Sequence, residues 1–190
     1  MKKIVLFSAL LLMGLVVFNG CSKKASEPRG RQEISEPFST PEYFSDNEYF
    51  RATGQGQSPR MSTARKIAET NARRALADEV QSRVKAVTDQ YVQQRNISDA
   101  TEVSQKFEDM TRIVVNQELT NATVFDRKTF QEKDGSYTHY VAIQMPLDPV
   151  KRGIENRISK DEKLRQDYDK KKFEETFNSE MEKMEGSGDY

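Results

Sequence analysis

The order of apolar and polar residues divides the chain into four stretches. A continuous apolar run near the start is followed by a polar stretch rich in Ser, Pro, Glu and Lys. In the third stretch, apolar residues alternate with polar ones or recur at helical spacing. The fourth stretch is heavily charged and carries an intermittent apolar stripe. These patterns predict a leader at residues 1–20, a flexible tether at 21–46, an α/β domain at 47–158 and a charged helical extension at 159–190.

The domain is predicted to open with a short strand, a turn and a helix. Side chains alternate between two faces over Tyr49–Gly54, which indicates a strand. Gly54 and Gly56 are expected to permit a turn of unusual backbone angles after it. Ser62 or Thr63 fits the N-cap of the helix that follows.

A single apolar stripe predicts that this first helix is long. Its members recur at helical spacing: Ala64, Ile67, Ala68, Ala72, Ala75, Leu76, Val80, Val84, Val87 and Tyr91. The first half of the stripe is mostly alanine, and small side chains let a helix lie close against another backbone layer. Cations and carboxylates are mixed on the other faces, which favours a solvated surface over a phosphate site.

A second helix is marked by Val103, Phe107, Met110 and Val114, with Ile113 widening its apolar side. Its last residues, 113–115, are rich in β-branched side chains and are therefore also compatible with a strand. The sequence leaves the end of this helix open between the two.

The clearest strand signal is a hairpin. Residues 122–131 are rich in Thr, Val and Phe, residues 133–136 have turn chemistry, and residues 137–145 alternate again. The second strand is expected to place one set of side chains against helices: Tyr137, His139, Val141, Ile143 and Met145.

Pro146 is expected to close the hairpin, and Asp148 and Pro149 fit the N-cap and first residue of a third helix. Beyond Ser159 the apolar content is too thin for a separate core, which predicts either a frayed helix or a helix that needs a partner surface. The elements together predict an α+β fold: a small antiparallel sheet, made of the short N-terminal strand and the hairpin, covered on one face by long helices and followed by a charged C-terminal helix.

The leader has the form of a secretory signal. Lys2 and Lys3 precede about fifteen apolar or small residues, a run shorter than the roughly 20 that span a bilayer. The run ends at Gly20-Cys21 and resembles the bacterial lipobox, although Phe18 and Asn19 depart from its usual residues. That resemblance implies cleavage before Cys21 and attachment of fatty acyl groups to its sulfur, which would anchor the chain to membrane lipid. Cys21 is the only cysteine of the chain, so it has no intramolecular disulfide partner.

A wider resemblance covers roughly residues 49–158. Gly54-x-Gly56 followed by Ala64-x3-Ala68-x3-Ala72-x2-Ala75-Leu76-Ala77 resembles the pattern of the twenty-kilodalton outer-membrane lipoprotein family, which is related to lipoproteins of the flagellar outer ring and basal disk. The resemblance implies a compact α/β domain and membrane association without catalysis. In some relatives it also implies assembly into rings, and it transfers no catalytic residue to this chain.

The remaining composition supplies little for catalysis. His139 is the only histidine and has no cysteine or second histidine with which to share a metal, so neither a metal site nor a histidine base is expected. Gly54-x-Gly56 lacks the third glycine of a dinucleotide site, and no cofactor is predicted. Loss of Lys2 and Lys3 with the leader reduces 30 basic side chains to 28 against 30 acidic ones, which argues against a nucleic-acid partner.

Two functional interpretations follow. The first is a non-catalytic lipoprotein of the bacterial outer membrane, facing the periplasm, that acts in structure or assembly by contacting other envelope proteins or further copies of itself. The C-terminal helix is its expected contact element. The alternative is a periplasmic ligand-binding or hydrolytic module tethered to the membrane. Ser22, in place of an aspartate after Cys21, resembles lipoproteins of the outer membrane.

Overall fold

A computed structural model describes residues 35–95 and 99–183, so the predicted leader and Cys21 lie outside the described residues. Strands and helices follow in the order expected from the sequence. Their bounds are β1 Tyr49–Ser58, α1 Met61–Arg95, α2 Ala100–Glu118, β2 Thr123–Gln131, β3 Tyr137–Pro146, α3 Leu147–Ile158, α4 Glu162–Asp167 and α5 Lys170–Glu182. Short 3-10 turns lie at Pro41–Tyr43 and Leu119–Asn121.

The described strands form one antiparallel sheet with the order β1-β3-β2. β1 pairs with β3 from Tyr49 opposite Pro146 to Ser58 opposite Tyr137, and the predicted hairpin joins β2 to β3. Gly135 turns the hairpin with a φ of 83°, a conformation that glycine adopts without strain. α1 packs along β1 and β3, so the predicted α+β fold with helices over one face of a small antiparallel sheet is confirmed.

The turn predicted at Gly54 and Gly56 is wrong, because β1 continues through both glycines to Ser58. Both instead lie under α1. A Cβ atom on Gly54 would lie 2.4 Å from the carbonyl oxygen of Ala68 and from the amide nitrogen of Ala72. A Cβ atom on Gly56 would lie 2.3 Å from the carbonyl oxygen of Ala64. The two glycines and the fully buried alanines therefore let helix and strand backbones approach directly, the close approach that the alanine stripe predicted.

The buried stripe of α1 is narrower than predicted. Residues 64, 68, 72, 76, 80 and 84 are all buried at a spacing of four. Ile67 and Ala75 are exposed, because each lies one residue, about 100° of helix, before a stripe position. The helix begins at Met61, so Ser62 and Thr63 lie in its first turn and neither is the N-cap.

Two further helix boundaries differ from the expectations. α2 continues to Glu118 with Val114 and Val115 buried, so its end is helical and not strand-like, whereas Ile113 is 49% exposed. α3 begins at Leu147, which places Asp148 and Pro149 inside its first turn. Leu147 is buried in the core, and packing therefore decided this boundary over the capping preference.

The extension predicted at 159–190 does not stand apart from the core. Its described residues, to 183, fold back as α4 and α5, and Leu164, Phe173, Phe177 and Met181 join the common hydrophobic core. The ring of Phe173 lies 5.7 Å from that of Tyr91 on α1 and 6.0 Å from that of Phe107 on α2. The apolar stripe of this segment therefore packs against α1 and α2 of the same chain, which form the partner surface it needs.

Residues 35–46, assigned to the tether by sequence, pack against the sheet, while residues 21–34 lie outside the described residues. Phe38 is buried although its φ of 67° is unusual for a bulky residue, which indicates that packing holds it in place. Ser45 and Asp46 also hydrogen-bond the free edge of β1, since Ser45 Oγ accepts from the amide of Arg51 at 2.9 Å and the amide of Asp46 donates to the Tyr49 carbonyl at 3.0 Å. This segment therefore covers part of an edge that is otherwise open to pairing.

Candidate interaction surface

The outer face of the sheet, opposite α1, carries a cluster of aromatic side chains that we call the aromatic face: Phe38, Tyr43, Phe125 and Phe130. The ring of Tyr43 lies 4.6 Å from that of Phe38 and 5.7 Å from that of Phe125. Phe130 meets the ring of Tyr140 on β3 edge to face at 5.8 Å. Phe125 reaches this cluster because a bulge between Val124 and Asp126 adds one residue to β2.

Cations border these rings. Lys128 Nζ lies 5.1 Å from the ring centre of Phe38, and the guanidinium of Arg51 lies 5.9 Å from that of Phe125. A groove of about 310 Å³ runs beside them, and its lining includes residues 35–40, Glu42, Tyr43, Lys128 and Phe130. The acidic and basic residues around it are mixed, so the surface is aromatic and amphipathic without a strong net charge.

A hydrogen bond ties the N-terminal segment to this face. Tyr43 Oη donates to Asp126 Oδ2 at 2.7 Å. This bond raises the pKa of Tyr43 to about 12 and lowers the pKa of Asp126. Tyr43 therefore stays protonated and Asp126 ionised near neutral pH, which keeps the bond intact.

His139 lies on the opposite face of the sheet, where it is 1% exposed and pairs with Gly56 of β1. Its Nδ1 shares a hydrogen bond with Thr129 Oγ1 at 2.7 Å. Burial is the largest cause that lowers the pKa of His139, and the positive charges of Arg65 and Arg127 lower it further. The negative charge of Glu69 raises it. A buried, neutral imidazole that is held by a hydroxyl fits a packed strand residue better than a base that must meet a substrate.

This burial predicts that stability falls in mild acid. The unfolded chain binds a proton on His139 near pH 6.5, while the folded chain resists doing so until lower pH. We expect the free energy of unfolding to be constant above pH 7 and to decrease as the pH falls from about 7 towards 5. Urea unfolding over this range measures the decrease.

His139→Gln is the matched variant for this prediction, because the chain has no other histidine. In this variant the free energy of unfolding is expected to change little between pH 7 and 5. An equal decrease in both proteins would show that His139 is not its source.

A second groove, of about 340 Å³, lies between α1 and α2 and is lined by Gln81, Ser82, Lys85, Thr88, Glu108, Thr111 and Arg112. Lys85 Nζ crosses it to Glu108 Oε1 at 2.8 Å, and this bond lowers the pKa of Glu108. The hydroxyls of Thr88 and Thr111 donate to carbonyl oxygens of their own helices. The polar groups of this groove are thus largely occupied by one another and by the backbone.

The described residues show neither a metal-binding group of side chains nor a membrane-spanning helix. Among residues 35–95 and 99–183, no three His, Cys, Asp or Glu side chains are grouped so that they could hold a metal ion. The helices in these ranges include none with the length and apolar character needed to cross a membrane. Cys21, the one site residue predicted from sequence, lies outside these ranges, and the sequence interpretation did not find the aromatic face.

Comparison of the chain with protein-family models, with curated proteins and with solved structures found no match.

Proposed function

We propose that this protein is a non-catalytic lipoprotein of the bacterial outer membrane, anchored through acylated Cys21 and facing the periplasm, and that it acts in structure or assembly through protein contacts. The observation that carries the proposal is the single cysteine placed where a basic and apolar leader ends. More than one acyl chain gives stable attachment, because each buried methylene contributes about 0.8 kcal/mol. The resemblance to the twenty-kilodalton outer-membrane lipoprotein family supports the same assignment.

The described domain is compatible with this role. Ion pairs such as Arg83–Glu79 and Lys106–Asp161 lie at its surface, and its one histidine is buried. Since α5 packs in the core of its own chain, the contact surfaces for envelope proteins or for further copies must lie elsewhere than on its apolar stripe.

The groove between α1 and α2 is the feature that favours the alternative, a periplasmic ligand-binding or hydrolytic module. Its volume suits a small polar molecule. The Lys85–Glu108 ion pair and the threonine-to-backbone hydrogen bonds already occupy polar groups of its lining, which makes this function the second candidate.

Replacement of the anchoring cysteine tests the proposed function. We expect the wild-type protein, expressed in a bacterial host, to fractionate with the outer membrane in its cleaved form. Cys21→Ser removes the sulfur that accepts the lipid, so this variant should be lost from the outer-membrane fraction and accumulate as an uncleaved precursor or a soluble product. Separation of inner and outer membranes with immunoblotting measures both form and location.

Ser26→Ala is the matched control, because it alters a nearby polar residue and keeps the sulfur. It should fractionate as the wild type does. Recovery of Cys21→Ser in the outer membrane at the wild-type level would contradict the proposal.

A further inference from the structure

The aromatic face leaves large apolar side chains in contact with solvent. Phe125 is 37% exposed and Phe130 is 45% exposed, both on β2. The opposite face of the sheet is covered, since α1 packs along β1 and β3. Exposed rings grouped on one side of a domain make that side a candidate contact surface.

The covalent path of the chain connects this face to the anchoring residue. The described residues begin at Ser35, and Ser35 itself lines the groove beside Phe38 and Phe130. Only residues 22–34 separate Ser35 from Cys21. Fourteen residue steps span at most about 50 Å, so a lipid on Cys21 would hold the domain within that distance of the bilayer, and the chain enters the domain beside the aromatic face.

The chemistry of the face suits the boundary between lipid headgroups and acyl chains. Phenylalanine is among the side chains that interfacial proteins bury at that level of a membrane, and long basic side chains can place their charge among the headgroups while their stems cover apolar surface. Phe125 and Phe130 supply the rings, and Lys128 supplies the cation beside Phe38. Glu36 and Glu42 lie near the same groove, so attraction to anionic lipid is not what drives contact.

We propose that the aromatic face rests on the bilayer surface, with Phe125 and Phe130 at the headgroup level, and that α1 and α2 point away from the membrane. This proposal rests on the proposed anchoring through Cys21. In this arrangement the aromatic face contacts zwitterionic lipid. The side of the domain formed by α1 and α2 remains available for protein contacts.

The absence of tryptophan from the chain allows a direct test. Phe130→Trp places one fluorophore on the aromatic face. Ile113→Trp places one on α2, where Ile113 is 49% exposed, and serves as the matched control. Each full-length acylated variant is purified from membranes in detergent and reconstituted into phosphatidylcholine vesicles, with and without brominated acyl chains that quench tryptophan at short range. Flotation of the vesicles confirms binding.

We expect the emission of Phe130→Trp to shift to the blue on reconstitution and to be largely lost in brominated vesicles, while Ile113→Trp is unaffected. Bound protein in which neither variant is quenched, or in which both are quenched equally, overturns the proposed orientation but leaves anchoring intact. A blue shift of Phe130→Trp without quenching would mean that a second copy covers the face, which also overturns it. Protein that does not float with vesicles, or that lacks acyl groups, contradicts the proposed function instead.

Discussion

Gly54→Ala is expected to lower the free energy of unfolding by about 3 kcal/mol, at the upper end of the usual cost of overpacking a core. The added Cβ would meet Ala68 O and Ala72 N, both at 2.4 Å, far inside van der Waals contact. Backbone atoms cannot rotate away, so α1 must move off β1 along its length. The buried alanines would then lose the contacts that close approach provides. Urea unfolding of the two proteins measures the change.

Gly153→Ala is the control for this substitution. Its Cβ would meet Val114 Cγ1 at 2.7 Å, so one buried side chain, and no backbone atom, has to shift. Alanine is also favoured over glycine in a helix by about 1 kcal/mol, which offsets the crowding. We expect a loss of stability well below that of Gly54→Ala. Equal stability of Gly54→Ala and the wild type would show that the helix does not lie against the strand as described.

Phe173→Ala is expected to lower the free energy of unfolding by about 3–5 kcal/mol, the usual cost of removing a fully buried phenylalanine. Phe173 is fully buried, and its ring meets those of Tyr91, Phe107, Tyr168 and Phe177 at 5.7, 6.0, 5.8 and 6.1 Å. Its loss would open a cavity at the junction of α1, α2 and α5. Thermal and urea unfolding measure the effect.

Ile113→Ala is the control, because it removes an apolar side chain from an exposed position on α2, and it should change stability by no more than about 0.5 kcal/mol. If Phe173→Ala were as mild as this control, the C-terminal residues would not belong to the core. The original interpretation of a helix that needs an external partner would then regain its support.

The hairpin and the two long helices were predictable because each has a strong local periodicity. Alternation over residues 137–145 correctly placed Val141, Ile143 and Met145 on the buried face. Gly54 and Gly56 were misread because glycine serves both turns and close backbone contacts, and only the element opposite decides which. The alanines spaced by four along α1 indicate a close contact with another backbone. The sequence alone does not show that the backbone they contact is β1 at Gly54 and Gly56.

The C-terminal stripe and the aromatic face escaped prediction because their partners are distant in sequence. Phe173 was visible as an apolar position, yet its contacts come from Tyr91 and Phe107, 82 and 66 residues earlier. Phe38 and Tyr43 were assigned to a tether because their neighbours are polar. Their packing depends on Phe125 and Asp126 of β2, and nothing local indicates it.

Mass spectrometry of the N-terminal peptide from protein isolated out of native membranes tests the central claim most directly. The account predicts that Cys21 is the first residue and that its sulfur carries a diacylglyceryl group, with the mass of the acyl chains visible in the fragment ions. A free sulfur on Cys21, or an intact leader on the mature protein, would contradict it.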